Sequence, residues 1–271
     1  MTLLLVLVML IGCAGAATAQ PPAQPPSSPP AAVAPAPSRD DLPAPTLPDT
    51  INRDDDGRAT VRAVRVTTPI RVDGKLDEAV YEQIHPASNF IQMEPRAGQE
   101  ATERTEVWIF YDNNNLYVSF KAYESHPERM IANELRRDSG NIRQGDSIGF
   151  SFDTFRDRRN AIQFETNALG ARTDGQSTNE RQYNADWNPV WRVTAGQFDG
   201  GWTIEAFIPF KSIRYAPGRQ QVWGFQARRT NKWKNEISYL TRVPPALGLG
   251  RADFSSSLYA NLVGVEAPRT S

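Results

Sequence analysis

Thirty-one carboxylates, two histidines and one cysteine are the groups with which this 271-residue chain can do chemistry. Hydrolysis needs two carboxylates held across a bond, or a nucleophile beside a base. No local signature singles out such a pair among so many acids. His85 and His126 fall in loop-like stretches without a His-Glu-x-x-His or similar spacing, which argues against a catalytic metal. No glycine-rich loop is present to cradle a phosphate. The aromatic residues say more. Tyr183, Trp187 and Trp191 punctuate Tyr183-Asn184-Ala185-Asp186-Trp187-Asn188-Pro189-Val190-Trp191, where polar neighbours make the rings a stacking platform. The competing reading, which the pattern favours, has Trp187 and Trp191 plugging one end of the fold. Trp108, Trp202 and Trp223 sit in strand-like alternation and belong to a core. Trp233, in Asn231-Lys232-Trp233-Lys234-Asn235, either caps a hairpin or stands exposed for contact.

With 30 basic residues against 31 acidic ones the formal net charge is −1, and nothing in that balance suggests a nucleic-acid or anionic-membrane surface. The pairs Arg136-Arg137, Arg158-Arg159 and Arg228-Arg229 are dispersed among acids and read as solvated strand edges. Cys13, the sole cysteine, excludes an internal disulfide.

Residues 2–12 are apolar and uncharged. They are too short for a bilayer span of ~20 residues but match the central region of an export signal. Ala17-Thr18-Ala19 before Gln20 suits signal cleavage; the basic start of such a signal is missing, so a start codon upstream is one reading. Leu10-Ile11-Gly12-Cys13 is also similar to a lipobox, which would acylate Cys13 and tether the chain to a membrane; the fit of the Ala-Thr-Ala-Gln site favours cleavage. Eleven prolines between Gln20 and Thr50 then predict an extended, solvated spacer of ~3.1 Å per residue. The expected organisation is an export signal over 1–19, a Pro-rich disordered linker over 20–58, a folded domain over 59–267 and a tail over 268–271.

Period-two alternation governs the folded part. Val107, Ile109 and Tyr111 alternate with Trp108 and Phe110, so this strand is expected to be covered on both faces. The triple Asn113-Asn114-Asn115 closes a hairpin, because asparagine tolerates a left-handed backbone. A strand ending near Val72 precedes a turn at Asp73-Gly74 and a helix capped by Asp77. Further strands are expected at 147–153, 160–167, 190–197, 202–208, 222–230, 237–242 and 258–263, separated by turn signals that include Asp174-Gly175. About nine strands and only short helical turns predict an all-β, antiparallel β-sandwich of jelly-roll-like type.

Four blocks occur in order: Val72-Asp73-Gly74-Lys75-Leu76-Asp77-Glu78, the 105–120 hairpin, Asp146-Ser147-Ile148-Gly149-Phe150-Ser151-Phe152-Asp153, and Gly201-Trp202-Thr203-Ile204-Glu205-Ala206-Phe207-Ile208-Pro209. Together they resemble the family 9 carbohydrate-binding modules over almost all of residues 66–265. The chain is most similar to modules that precede an outer-membrane β-barrel in exported bacterial proteins; without barrel strands here, it reads as a stand-alone module or a piece of such a protein. The resemblance implies an exported, non-catalytic module that docks a glycan at the cell surface or in the periplasm, with a possible outer-membrane association. The alternatives are a protein-binding scaffold of an outer-membrane system and an accessory domain of a glycoside hydrolase in carbohydrate catabolism.

Sugar binders of the family carry one tryptophan in the loop before the Asp146 strand and another near the C-terminus. Here those loops read Ser139-Gly140-Asn141-Ile142-Arg143-Gln144-Gly145 and Leu247-Gly248-Leu249-Gly250-Arg251-Ala252, with neither tryptophan. The resemblance leaves Asn167, Glu165, Arg143 and Asp146 as groove candidates, and Tyr183, Trp187 and Trp191 as substitute aromatics. It also implies Asp153, Asp157 and Asp174 as holders of a structural calcium ion, with ordinary turns as the simpler reading. No other cofactor is expected.

Overall fold

The computed structural model describes residues 42–268. The segment read as an export signal, Cys13 and the segment read as a spacer up to residue 41 lie outside the described residues, as does most of the expected tail. Fifteen strands are present among them: β1 (Ile51–Arg53), β2 (Ala59–Arg62), β3 (Val64–Arg65), β4 (Ile91–Glu94), β5 (Thr105–Tyr111), β6 (Asn115–Tyr123), β7 (Ser147–Asp153), β8 (Ala161–Asn167), β9 (Arg172–Thr178), β10 (Gln182–Asn184), β11 (Arg192–Phe198), β12 (Gly201–Pro209), β13 (Gln220–Asn231), β14 (Glu236–Tyr239) and β15 (Ala260–Glu266). The helices are α1 (Ala79–Gln83) and α2 (Gly248–Ala252), together with single 3-10 turns. None of the described helices is long and apolar enough to cross a membrane.

The larger sheet runs β1-β2-β15-β13-β7-β8-β9-β10, with β14 bonded to both β13 and β4; the smaller runs β11-β12-β6-β5-β3. Pairing is antiparallel except where β2 meets β15 and β3 meets β5, both contacts made by the first strands of the described chain. The expected antiparallel sandwich is what forms. Alternation places Ile148, Phe150 and Phe152 of β7, Phe164 of β8, Phe225 of β13 and Trp202, Ile204 and Ala206 of β12 in one core between the sheets. Phe150 stacks on Phe164 with centroids 5.3 Å apart at its centre. Each such ring withdraws enough apolar surface from water to contribute roughly 1.5–3 kcal/mol.

The outer face of the smaller sheet is also covered, as the alternation of β5 predicts. Trp108 and Phe110 join Tyr81 and Tyr117 beneath α1 in a second apolar cluster. The cover is fastened by Glu205 of β12. Its buried carboxylate accepts the N–H groups of Asp73 and Gly74 and the hydroxyl of Tyr81 (3.0, 2.8 and 2.9 Å). Gly74 has φ +84°, and a Cβ there would lie 2.9 Å from the Ala195 carbonyl. Two of the four sequence blocks are therefore bonded to each other.

Several local expectations need correction. Residues 70–73 form no strand; they cross the sheet as an irregular segment, tied by Thr194 Oγ1 donating to the Val72 carbonyl (3.0 Å). Helix α1 is preceded by Glu78 with no side-chain cap, because Asp77 pairs with Arg71 (3.1 Å). The asparagine turn uses no left-handed residue; Asp112 closes it by accepting the N–H groups of Asn114 and Asn115 (2.7 and 2.8 Å). Asp174-Gly175 is no turn but the middle of β9. Strand β1 falls inside the segment read as spacer, and the Leu42 and Pro45 carbonyls accept from Thr60 Oγ1 and Arg62 Nε (2.8 and 2.7 Å). Proline lacks a donor, but the carbonyls of a Pro-rich segment still accept. Arg228-Arg229 is not a solvated edge: the two point to opposite faces of β13 and both are buried.

Candidate functional site: an ion quartet on the outer face of the larger sheet

The outer face of β13-β7-β8-β9 presents what alternation leaves over from the core: Gln226 and Arg228, Gly149 and Ser151, Gln163 and Glu165, and Thr173. Two segments close over this face. A 3-10 turn at Gly140–Gln144 brings Arg143, and α2 is followed directly by Asp253. These are the loops that would bear the family's tryptophans, and here they deliver a cation and an anion to one point.

Arg228 donates Nη1 to Asp253 Oδ2 (2.9 Å) and Nη2 to Glu165 Oε1. Arg143 reaches the same two acids, with Nη1 2.9 Å from Asp253 Oδ2 and Nε bonded to Glu165 Oε2. Two cations thus alternate with two anions in a closed, neutral ring. Burial disfavours charge on Arg228, but Asp253 and Glu165 outweigh it and its pKa lies above the usual arginine value. On Arg143, burial and repulsion by Arg228 are likewise outweighed by the same acids. The Asp253 side chain is further fixed by the Tyr239 hydroxyl (2.9 Å), and its carbonyl accepts from Gln163 Nε2 (2.9 Å) and Tyr259 Oη (2.6 Å). Inside a protein such a network is worth most when every member is satisfied. Two atoms here are not: Gln163 Oε1 and Arg228 Nε are buried without a partner. The space enclosed, about 20 Å³, has room for one water.

The ring is not evenly protected. The Arg228, Glu165 and Asp253 side chains are 6%, 5% and 9% exposed, whereas Arg143 is 40% exposed. Beside Arg143 stands Tyr183, its ring stacked on Phe254 with centroids 5.2 Å apart and planes 16° from parallel. Gly175 makes this possible, since a Cβ there would lie 2.2 Å from the Tyr183 hydroxyl oxygen. Burial raises the pKa of Tyr183, so the phenol stays neutral.

Of the residues singled out in the sequence, Arg143, Glu165 and Tyr183 come together here. Asn167 and Asp146 do not. Asn167 donates to the Glu134 carbonyl and accepts from the N–H groups of Leu169 and Ala171 (2.8, 3.1 and 3.0 Å), holding the β8–β9 turn. Asp146 is fully buried, accepts from the N–H groups of Ile131 and Lys232 (2.6 and 3.2 Å), and has its pKa raised by burial. Trp191 is core: it packs on Phe164 (5.0 Å) and donates to Asp174 Oδ2 (2.7 Å). Trp187 meets Phe164 edge-on (5.8 Å) but stays half-buried at the end of the sandwich. Trp233 caps the β13–β14 hairpin, with the cationic groups of Arg129 and Lys234 each 5.1 Å from its ring.

Asp153, Asp157 and Asp174 do not converge on one point. Asp153 accepts from the N–H groups of Phe155, Asp157 and Arg158, and Asp157 from those of Arg159 and Asn160. Asp174 faces the core beneath Trp191, bonded also to Arg137 (3.1 Å). Among the described residues no group of three acidic, histidine or cysteine side chains is placed to hold a metal ion.

The residues that sequence reasoning missed are Arg228, Asp253, Gln163 and Phe254. A signal for the first was present: Arg228 follows a largely apolar run, Val222-Trp223-Gly224-Phe225-Gln226-Ala227, and a cation in such a place requires buried partners.

The fold and this polar centre define a carbohydrate-binding-like β-sandwich. The chain belongs to the family described as carbohydrate family 9 binding domain-like, whose profile matches residues 72–238. Three solved structures share the fold. A family 9 carbohydrate-binding module from Caldicellulosiruptor kristjanssonii in complex with glucose is 15% identical, with a TM-score of 0.52 over 78% of this chain and 97% of that one. The same organism's module in complex with cellotriose is 15% identical, with a TM-score of 0.50 over 78% and 95%. A Bacteroides uniformis ATCC 8492 protein, provisionally named as carbohydrate-binding, is 10% identical, with a TM-score of 0.57 over 76% and 98%. No curated protein matches the chain.

Proposed function

We propose that this chain is a non-catalytic carbohydrate-binding module that docks a glycan outside the cytoplasm, and that the sugar sits against the Arg143–Glu165–Arg228–Asp253 ring. The observation that carries this reading is the uneven protection of that ring. Three members are rigidly buried, while the fourth, Arg143, is exposed and comes from a short turn. When Arg143 swings aside, Glu165 Oε2 is released, Asp253 Oδ2 keeps only Arg228, and the unpartnered Gln163 Oε1 adjoins them. Acceptors and donors so arranged match the hydroxyl pairs of a pyranose, and the Tyr183–Phe254 wall offers an aromatic face to its C–H groups. Glu165 and Asp253 serve as hydrogen-bond acceptors and not as acid and base, because each stays bound to Arg228. Export rests on the leader at 2–12 and the Ala17-Thr18-Ala19 site, with the proline-rich segment as spacer.

A second reading has its own observation. With the ring closed, only about 20 Å³ is open, which suits a scaffold that recognises a protein partner of an outer-membrane system through its loops. Titrating glucose and cello-oligosaccharides into the chain and into Glu165→Gln decides between them. The sugar reading expects saturable binding that Glu165→Gln weakens by roughly ten-fold or more, the worth of one charge-assisted hydrogen bond. No binding at millimolar sugar by either protein favours the scaffold.

A further inference from the structure

A second cleft, about 450 Å³, opens at one end of the sandwich, between the edges of β7, β8 and β9 and the turn that follows β12. Its volume lies within the range of small-ligand sites, whereas the centre described above is nearly filled. Two aromatic side chains form its walls. Phe155 is 52% exposed, a large apolar ring held in water by the loop after β7. Trp187 is half-buried, braced edge-on by Phe164, and its indole N–H has no partner among the described residues.

Thr154 and Asn160 in the lining are spent on internal hydrogen bonds, but three polar side chains around these rings are not used by the protein. Gln176 is half-buried and its side-chain amide makes no hydrogen bond among the described residues. Lys211 and Arg214 are exposed on the rim, and neither has a carboxylate partner there. The two acids nearest to Phe155 in sequence turn elsewhere: Asp157 accepts the N–H groups of Arg159 and Asn160 (2.8 Å each), and Asp153 those of Phe155, Asp157 and Arg158. The lining holds no acid at all. Elsewhere the arginines of this chain are commonly matched to an acid, as in the quartet and in the Arg229–Glu124 pair. Two unmatched cations beside two stacking faces and an idle amide are complementary to a ring that carries a negative charge.

We propose that this cleft is a second ligand site that takes a carboxylate-bearing sugar, a uronic acid residue of an acidic glycan. The pyranose ring lies against Trp187 and Phe155, Gln176 and the Trp187 N–H read hydroxyls, and Lys211 and Arg214 pair with the carboxylate. This site shares no residue with the ring of Arg143 and stands whether or not that centre binds a sugar.

The test is a titration of the isotope-labelled chain with glucuronic acid, glucose and acetate, followed by NMR. The indole N–H resonance of Trp187 and the side-chain amide of Gln176 report the cleft. Those of Gln163 and the backbone of Tyr183 report the other centre, so failure of one reading is distinguishable from failure of the other. The expected result is saturable movement of Trp187 and Gln176 with glucuronic acid, little with glucose or acetate, and weaker binding at high salt. Replacing both cations, Lys211→Ala with Arg214→Ala, should weaken glucuronic acid roughly ten- to a hundred-fold. Both are exposed surface residues, so the fold should persist. Three results overturn the proposal: Trp187 unmoved by glucuronic acid, Trp187 moved equally by glucose, or the double variant binding as tightly as the parent.

Discussion

Replacing Arg228 with alanine removes the buried member of the two cations that each bond both acids of the quartet. Its guanidinium, 6% exposed, donates to Asp253 at 2.9 Å and to Glu165. The variant leaves Glu165 and Asp253, 5% and 9% exposed, with Arg143 alone, so one buried negative charge is uncompensated. Removing one partner of a buried pair costs about 3–5 kcal/mol. For a domain of this size that lowers Tm by about 6–20 °C at roughly 2–4 °C per kcal/mol. Arg143→Ala touches the same acids from a side chain that is 40% exposed, so water can take its place and the loss should be clearly smaller than in Arg228→Ala. Urea denaturation followed by tryptophan fluorescence measures both variants. Equal losses in the two variants, or a stable Arg228→Ala, would refute the view that the ring is rigid on three sides and loose on the fourth.

Three further outcomes follow from the packing of the sandwich. Burial raises the pKa of Glu205 from 4.5 to about 7, against the donors Tyr81, Gly74 and Asp73; the folded state holds this proton more tightly, so its contribution is full below pH 4.5 and is lost as pH rises through 7, by at most about 3 kcal/mol. Compared with Glu205→Gln, the parent chain should therefore lose stability over that window in parallel urea titrations. Gly74→Ala forces a Cβ to 2.9 Å from the Ala195 carbonyl at a φ of +84° and should cost about 1–3 kcal/mol in thermal melts. Trp191→Ala empties a core position and leaves Asp174 with Arg137 alone, for about 3–5 kcal/mol by calorimetry, whereas Trp187→Ala should leave a folded protein.

The alternation of β5, β7, β12 and β13 was legible because one face of each is a run of large apolar side chains packed against the opposite sheet. Strand β9 was not, because Arg172-Thr173-Asp174-Gly175-Gln176 has the composition of a turn. Its extended form is imposed from outside, by Trp191 bonding Asp174 and by Tyr183 needing the space at Gly175. Strands β1 to β4 span two to four residues each, too few for a period to register. At the site, Arg143 was found through the family's loop position and Glu165 through the groove position beside Asn167. Asp253 escaped notice since an acid after Gly248-Leu249-Gly250-Arg251-Ala252 reads as an ordinary loop residue. Only the fold brings it beside Arg228. Asn167 and Asp146 misled because a buried amide or acid that holds a turn has the same letter as one that holds a ligand.

The central claim is that the sugar site of this module is closed by Arg143 and opens by its movement. A crystal structure of the chain soaked in cello-oligosaccharide tests it most directly. The account predicts sugar density against Tyr183 and Phe254, with Arg143 withdrawn from Glu165 and Asp253 while Arg228 keeps both. Sugar bound elsewhere with all four side chains still paired would contradict it, as would a site left empty at saturating sugar.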